Sequence, residues 1–283
     1  MTGLPVATGL PAEAARTAGH AAWLAGLQAG ADQPPLRNRV PLRWQGTAIG
    51  SVEPEFVSRL VMAPESGTHG LLERSERDGV TGWDIHGSLT AGLERIARTM
   101  RDAGLTHGWR DEQLAVTNAD GRALGTIERA AVRPLGITTS AVHLTGRTPD
   151  GRHWVQQRAL SKPNDPGLWD TLVGGMVPAS DSLPQALERE TWEEAGLRPD
   201  QLELLAWGGR LTTRHPSADG CGTGYLVEHI DWYRCVLPHG LEPVNQDGEV
   251  AQYRLMSADE VMHHLLCDKF TLEAALVLVA AGI

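Results

Sequence analysis

Hydrophobic and polar positions along the chain follow two periods, one helical and one strand-like, in separate blocks. Trp23, Leu24 and Leu27 fall at helical offsets in the Ala-rich run from Ala14 to Gln28. They predict a helix that ends before Pro34-Pro35. The preceding twelve residues are punctuated by Gly and Pro and are expected to be loose. Arg39 to Val52 alternates, with Gly46 near its middle, and predicts a small hairpin. Pro54 to Met62 reads as a short helix. Leu93, Ile96, Ala97 and Met100 form an apolar stripe that predicts a helix over 89–103, closed by Gly104. Leu114 to Val116 and Ala123 to Ile127 flank the turn residues Asn118-Ala119-Asp120-Gly121 and are expected to pair.

From Thr138 onward strand patterns dominate. Thr139 to Leu144 and Trp154 to Arg158 flank Thr148-Pro149-Asp150-Gly151, a hairpin signal. Trp169 to Val173, Leu202 to Trp207, Gly224 to Ile230, Trp232 to Leu237 and Val250 to Leu255 are strand-like. Ala258 to Leu266 and Leu272 to Ala280 read as closing helices. This order predicts an α/β (α+β) protein. A small α+β unit over 1–133 precedes a unit over 134–283, which has a mixed sheet with helices on both faces. The boundary falls near Pro134-Leu135-Gly136. No Ser-, Gly- or Pro-rich linker separates the halves, so tight docking is expected.

The stretch from Gly174 to Leu197 carries the chemistry. It places Glu190, Glu193 and Glu194 on one side of a single helical turn. Like charges at these offsets repel by roughly a few tenths of a kcal/mol per pair. Only Arg189 is near, and one guanidinium cannot neutralise three carboxylates. Hard oxygen donors in this number suit Mg²⁺ or Mn²⁺ better than zinc. A merely acidic, solvated face explains the triad alone equally well, and the flanks separate the two readings. Ser182 and Gln185 stand at capping-box spacing, and Pro184 falls in the first turn. Gly196 sits where a left-handed terminator belongs, with Pro199 just beyond. The helix is therefore expected over 183–195, following a strand and the glycine pair Gly174-Gly175.

This segment resembles the Nudix box, G-x(5)-E-x(7)-R-E-U-x-E-E-x-G-U, where U is a bulky apolar residue. Gly175, Arg189, Glu190, Glu193, Glu194, Gly196 and Leu197 match in register. Asp181 stands where the first Glu is expected, and Thr191 replaces an aliphatic residue. The resemblance implies a Nudix α/β/α sandwich and hydrolysis of a diphosphate linkage with Mg²⁺ or Mn²⁺. It also implies Glu190 and Glu194 as principal metal ligands and Glu193 as ligand or base. Arg189 would orient Glu190, and the Gly175 carbonyl would be a further ligand. Segments outside the box (GWRDE at 108–112, RPLGITTSAVHLTG at 133–146, WVQQRALSKPNDPGLWDTLV at 154–173 and DGEV at 247–250) resemble a Nudix branch related to thiamine pyrophosphokinase-like proteins. That branch has an extra N-terminal domain, and it points to thiamine diphosphate or its oxidised relatives as substrates. Two other readings keep the fold. One is an isopentenyl-diphosphate-isomerase-like enzyme, which needs a catalytic Cys that no early strand here supplies. The other is a non-catalytic ligand-sensing module, which would predict eroded box glutamates, and these are intact.

Further residues have two readings each. Glu249 is either an additional metal carboxylate from outside the box or a hairpin-turn acid. Arg158 and Lys162 either bind substrate phosphates or are surface charge, the latter being favoured for Lys162. Trp109 and Trp169 are core residues or, less often, stacking partners for an aromatic substrate ring. His215 and Asp219 lie in a Gly-rich stretch, 213–224, expected to be a loop over the site.

Composition narrows the partners. The 283 residues suffice for about two domains, and 41% hydrophobic with 21% charged residues is ordinary for a globular protein. A net charge of −10 speaks against a nucleic-acid groove and against docking on anionic membranes. The partner that the Nudix resemblance implies is a small-molecule diphosphate, and a monomer or homodimer is expected. Cys221, Cys235 and Cys267 form no metal or redox spacing, and the N-terminus lacks a signal-peptide pattern, so a cytoplasmic location is expected.

Overall fold

The computed structural model describes residues 12–62, 68, 70–106 and 108–283. The punctuated stretch up to residue 11 lies outside the described residues. Helix α1 (Ala12–Ala31) leads into the hairpin β1 (Val40–Trp44) and β2 (Thr47–Val52), then α2 (Pro54–Met62). A second hairpin follows, β3 (Leu72–Arg77) and β4 (Val80–Ile85), then α3 (Leu89–Asp102) and a third hairpin, β5 (Gln113–Thr117) and β6 (Ala123–Glu128). The pair β3–β4 escaped the sequence reading. Its signal was Asp78-Gly79, both with positive φ, a hairpin turn between polar-rich strands that lack a clear apolar alternation. Strands run β2-β1-β4-β3 in one sheet, and β5-β6 stand apart.

The second half is built on β7 (Thr139–Arg147), β8 (His153–Arg158), β9 (Trp169–Asp170) and β10 (Val173–Met176). Next come α4 (Leu183–Ala195), β11 (Glu203–Ser217), the short turn α5 (Asp219–Gly222), β12 (Gly224–Val236), β13 (Val250–Met256), α6 (Ala258–Leu266) and α7 (Leu272–Ala280). The stretch expected as a loop is strand as far as Ser217. β11 and β12 pair antiparallel from Glu203↔Val236 to Ser217↔Gly224, so the two strands expected over 224–237 are one.

The sheet is mixed, β11-β12-β7-β8-β13, with β12 parallel to β7. β7 and β8 pair only at their hairpin end, Gly146↔Trp154 and Arg147↔His153. Beyond that they part, and the segment from 169 to 176 enters the gap. β9 pairs with β8, and β10 pairs with β7 from Val173↔Leu144 to Met176↔Ala141. This split puts the glycine pair in mid-sheet, where α4 can lie against it.

Two packing layers hold that arrangement. Leu187, Ala195 and Leu197 pack with Leu144, Leu172 and Val173 on one face. Val155, Trp169, Val261, Leu265, Ala274 and Leu278 pack on the other, with Trp23 and Leu27 of α1 covering their outer side. Each fully buried aliphatic side chain contributes about 1.5–3 kcal/mol of transfer free energy. A separate core joins β1–β6, α2 and α3 with Leu135 and Ile137, and Met176 packs against it. The two halves touch directly: Ala179 N–H donates to the Gln113 carbonyl at 2.7 Å, and Leu114 bridges Pro178.

Candidate active site

α4 starts and stops where its signals lie. The Gln185 side chain accepts from the Ser182 N–H at 2.9 Å. Gly196 is left-handed at φ 63°, and the Leu197 N–H closes the helix on the Thr191 carbonyl at 3.2 Å. Both departures from the box are accommodated. Buried Thr191 donates its hydroxyl to the Leu187 carbonyl at 2.6 Å, so no polar atom is stranded. Asp181 accepts from Arg189 Nε at 2.9 Å.

Arg189 organises the outer carboxylates. Its Nη1 donates to Glu190 Oε1 and to Glu193 Oε2, each at 2.9 Å, and its Nη2 reaches the Met176 carbonyl at 3.3 Å. Glu190 lies across Gly175: a Cβ on that residue would overlap the carboxylate, so glycine is required for the close approach. One turn along, Glu194 is only 2% exposed. Its Oε2 accepts from the Gly174 N–H and from Gln156 Nε2, both at 2.9 Å. Lys162 Nζ lies 3.9 Å from its Oε1 and bonds Glu249.

Burial drives Glu194 up to about 8, against the pull of the Lys162 ammonium, and the Glu190 charge adds to the rise. Burial likewise drives Glu190 to about 7, against Arg189. Glu249 moves the other way: burial raises it, but Lys162, then Arg129 and Arg110, bring it below the usual carboxylate value.

Among the described residues no three carboxylate, imidazole or thiolate groups already converge as a metal cage. The donor chemistry nevertheless fits a hard divalent cation. Burial pushes two carboxylates, buried Glu194 and half-buried Glu190, toward protonation despite Lys162 and Arg189, and the Lys162 ammonium sits between Glu194 and Glu249 as a stand-in cation.

These groups line a cavity of about 520 Å³. The lining also includes residues that sequence reasoning missed. His143 Nδ1 is 3.0 Å from Thr171 Oγ1 and 3.7 Å from Asp170 Oδ1, and its ring lies over Gly174. Buried Glu228 accepts from Thr139 Oγ1 at 2.8 Å, and burial, then the Glu273 charge, raises its pKa. Arg129 and Arg133 come from the end of the first half. None of these has a local signature, because each reaches the cavity only through the sheet order.

The expected residues separate into two groups. Arg158, Lys162, Gly175, Arg189, Glu190, Glu193 and Glu249 line the cavity, and Glu194 lies directly behind it, touching Gly174 and Lys162. Arg158 is held by Asp170 at 3.3 Å and by the Asn164 carbonyl at 2.9 Å, and so is no free surface charge. The two tryptophans are placed elsewhere. Trp109 packs on the first core under Arg101, 4.6 Å from its ring centroid, and bonds Asp111. Trp169 is buried in the second layer beside His264. Of the two readings of these rings the structure has the packing one: both lie in packed clusters, and neither is among the described residues of the cavity lining. His215 stands 3.6 Å from Glu273, and Asp219 is paired with Arg133 at 3.1 Å.

A strand split around a glycine pair, covered by a helix with glutamates one turn apart, defines a Nudix-type site. Residues 136–275 match the NUDIX domain model. Through this domain the chain belongs to the Nudix family. It is 30% identical over 176 residues to Nudix hydrolase 24, chloroplastic, of Arabidopsis thaliana, covering 61% of this chain and 47% of that protein. It is 34% identical over 107 residues to an isopentenyl-diphosphate Delta-isomerase of Streptomyces avermitilis, covering 38% of this chain and 53% of that protein. The chain spans about half the length of the curated relatives it matches. Among solved structures, DR0079 of Deinococcus radiodurans superposes with a TM-score of 0.48 at 19% identity, over 60% of this chain and 99% of that chain.

Proposed function

We propose that this protein hydrolyses a diphosphate linkage in a small-molecule substrate and needs Mg²⁺ or Mn²⁺ to do so. The observation that carries this reading is the carboxylate pair of half-buried Glu190, lining the cavity against Gly175, and buried Glu194, behind it against Gly174. Glu190, Glu194, Glu249 and the Gly175 carbonyl would hold the cation. When bound, it would neutralise charge on the diphosphate oxygens and acidify water. Arg189 holds Glu190 and Glu193 in register, Gln156 and the Gly174 N–H fix Glu194, and the half-exposed Glu193 would be a further ligand or take a proton from water. Arg158 and Lys162 neutralise phosphate oxygens. The test is phosphate release from a substrate panel with Mg²⁺, with Mn²⁺ and with chelator. Release unchanged by chelator, or absent throughout, rejects the reading.

The substrate class in this proposal is a thiamine-type diphosphate, including oxidised forms. Branch resemblance supports it, and so does Glu273 in the cavity lining, whose carboxylate charge suits a cationic ring. The units 1–133 and 134–283 are proposed as an accessory and a hydrolase domain, in a cytoplasmic enzyme. Among the described residues no helix is long and apolar enough to cross a membrane. The isomerase alternative is disfavoured: no cysteine lines the cavity, and buried Cys235 has its thiol pushed up to about 12.

A further inference from the structure

The cavity is unevenly charged. Acids outnumber bases around the main chamber, which repels a diphosphate unless cations accompany it. On the side of the first half adjoins a smaller chamber of about 370 Å³. Arg129, Arg133, Asn164 and Met176 line both. Arg110 lines only the smaller one, and among its described lining residues Asp219 is the sole acid facing three guanidiniums.

Two of these guanidiniums keep donors to spare. Arg129 gives Nη1 to Glu112 at 2.7 Å, and Arg133 gives Nη1 to Asp219 at 3.1 Å. Each has five N–H donors. The exposed Arg110 side chain makes no ion pair among the described residues.

The backbone is committed to this placement. Glu128 is 1% exposed, and its Oε1 accepts from the Arg110 N–H at 2.9 Å and from the Ala130 N–H at 3.3 Å, while its Oε2 is buried without a partner. The Arg129 N–H closes on the Glu112 carbonyl at 2.9 Å. A buried carboxylate is costly unless hydrogen bonds compensate its lost hydration. Here they clamp the segment bearing Arg110 against the turn bearing Arg129, so both side chains face one chamber.

We propose that Arg110, Arg129 and Arg133 form a phosphoryl-binding subsite that receives the terminal phosphoryl group of the diphosphate. This rests on the hydrolase reading above and assigns the first half of the chain a direct part in substrate recognition. Guanidinium forks match phosphate oxygens two at a time, which a lysine cannot reproduce. The scissile linkage then lies between the acidic floor, where a cation would be held, and the arginine chamber, which takes the outgoing group.

The test measures binding without turnover. The full chain is titrated calorimetrically with methylenediphosphonate in the presence of Mg²⁺, as wild type, Arg110→Gln, Arg110→Lys and Arg129→Gln. Arg110→Gln and Arg129→Gln are each expected to raise Kd about tenfold, the loss of a charge-assisted contact. Arg110→Lys is expected to recover only part of the affinity. Among the described residues the Arg110 side chain makes no hydrogen bond or ion pair, so its variants are expected to stay folded even if Arg129→Gln disturbs the hairpin; unfolding temperatures verify this. Unchanged affinity in folded Arg110→Gln, or full recovery in Arg110→Lys, overturns the subsite. If the wild type binds and loses affinity as stated but hydrolyses no diphosphate, the subsite stands and the hydrolase reading falls.

Discussion

Glu194 is buried at 2% exposure with both of its anchoring donors on one oxygen, and the Lys162 ammonium lies 3.9 Å from the other, Oε1. Replacement by Gln keeps the size and removes the charge. Glu194→Gln is expected to lower cation-dependent kcat/KM by about a hundredfold or more, as loss of a group acting directly on the reacting charges does. The fold should persist, and the cation-free helix should gain slightly from reduced like-charge repulsion. Wild-type phosphate release by this variant with Mg²⁺ would remove Glu194 from the site. The raised pKa values give a second expectation. Glu190 and Glu194 stand at about 7 and about 8, above their ordinary 4.5, so the folded chain holds these protons more tightly than the unfolded one. Stability from this source is complete below the unfolded value and is lost as pH rises through 7 and 8. The Tm of chelated protein is therefore expected to fall as pH rises across that range. Mg²⁺ should restore more Tm at the alkaline end, because a cation that binds only the native state adds stability by mass action. A chelated Tm that rises over the same interval contradicts both carboxylate assignments.

At the level of elements, α4 and β10 act as one unit, with the helix held against a strand whose glycines admit its carboxylates. Gly175→Ala tests that contact. A methyl group there overlaps the Glu190 carboxylate, so activity should collapse while Tm changes little, since Glu190 can swing outward. Crystallography or metal titration of the variant reads the displacement, and an unaltered metal affinity would refute it. Leu187→Ala tests the packing instead: the side chain is 4% exposed in the second core, and its removal should cost about 2–5 kcal/mol in denaturant unfolding. The helix itself was legible to the residue, because its cap, its proline and its terminating glycine are local signals. β11 was not. Gly208-Gly209, Pro216 and the Gly-rich run after it look like loop, but the Trp232 ring lies against both glycines and pairing with β12 continues past them. A partner strand supplies that order, and no propensity encodes it.

At the scale of the whole molecule, the first-half core and the packing of the sheet meet at the site. Met176 of the glycine strand packs on the first core, and the 177–181 segment is bonded to β5. A truncation beginning at Arg133 removes Arg110 and Arg129 from the cavity wall and exposes Ile137. Its kcat/KM, referred to folded protein, is expected to fall at least about tenfold. Full retention would leave the first half without a substrate role. The cavity's acidity belongs to the same scale, because Glu228, Glu273 and the box converge only in the assembled sheet. A thiamine-type diphosphate should therefore show higher kcat/KM than ADP-ribose or a nucleoside triphosphate under one metal condition. The opposite order would overturn the ranking and leave the hydrolase assignment intact.

The amino-acid sequence by itself determined the helix boundaries around the box, the carboxylates it presents and the mixed sheet with helices. All of these rest on contacts within a few residues: periodicity, caps and glycines at turns. Only the tertiary structure decided which residues complete the cavity. Gln156 behind Glu194, Glu228 and Glu273 in the cavity lining, and the arginines of the first half are brought in by strand order and docking. It also decided that Trp109 and Trp169 are packing residues. The physical reason is the same in each case. A side chain's reach into a cavity depends on what lies across the sheet from it, and that neighbour can stand more than a hundred residues away in the chain.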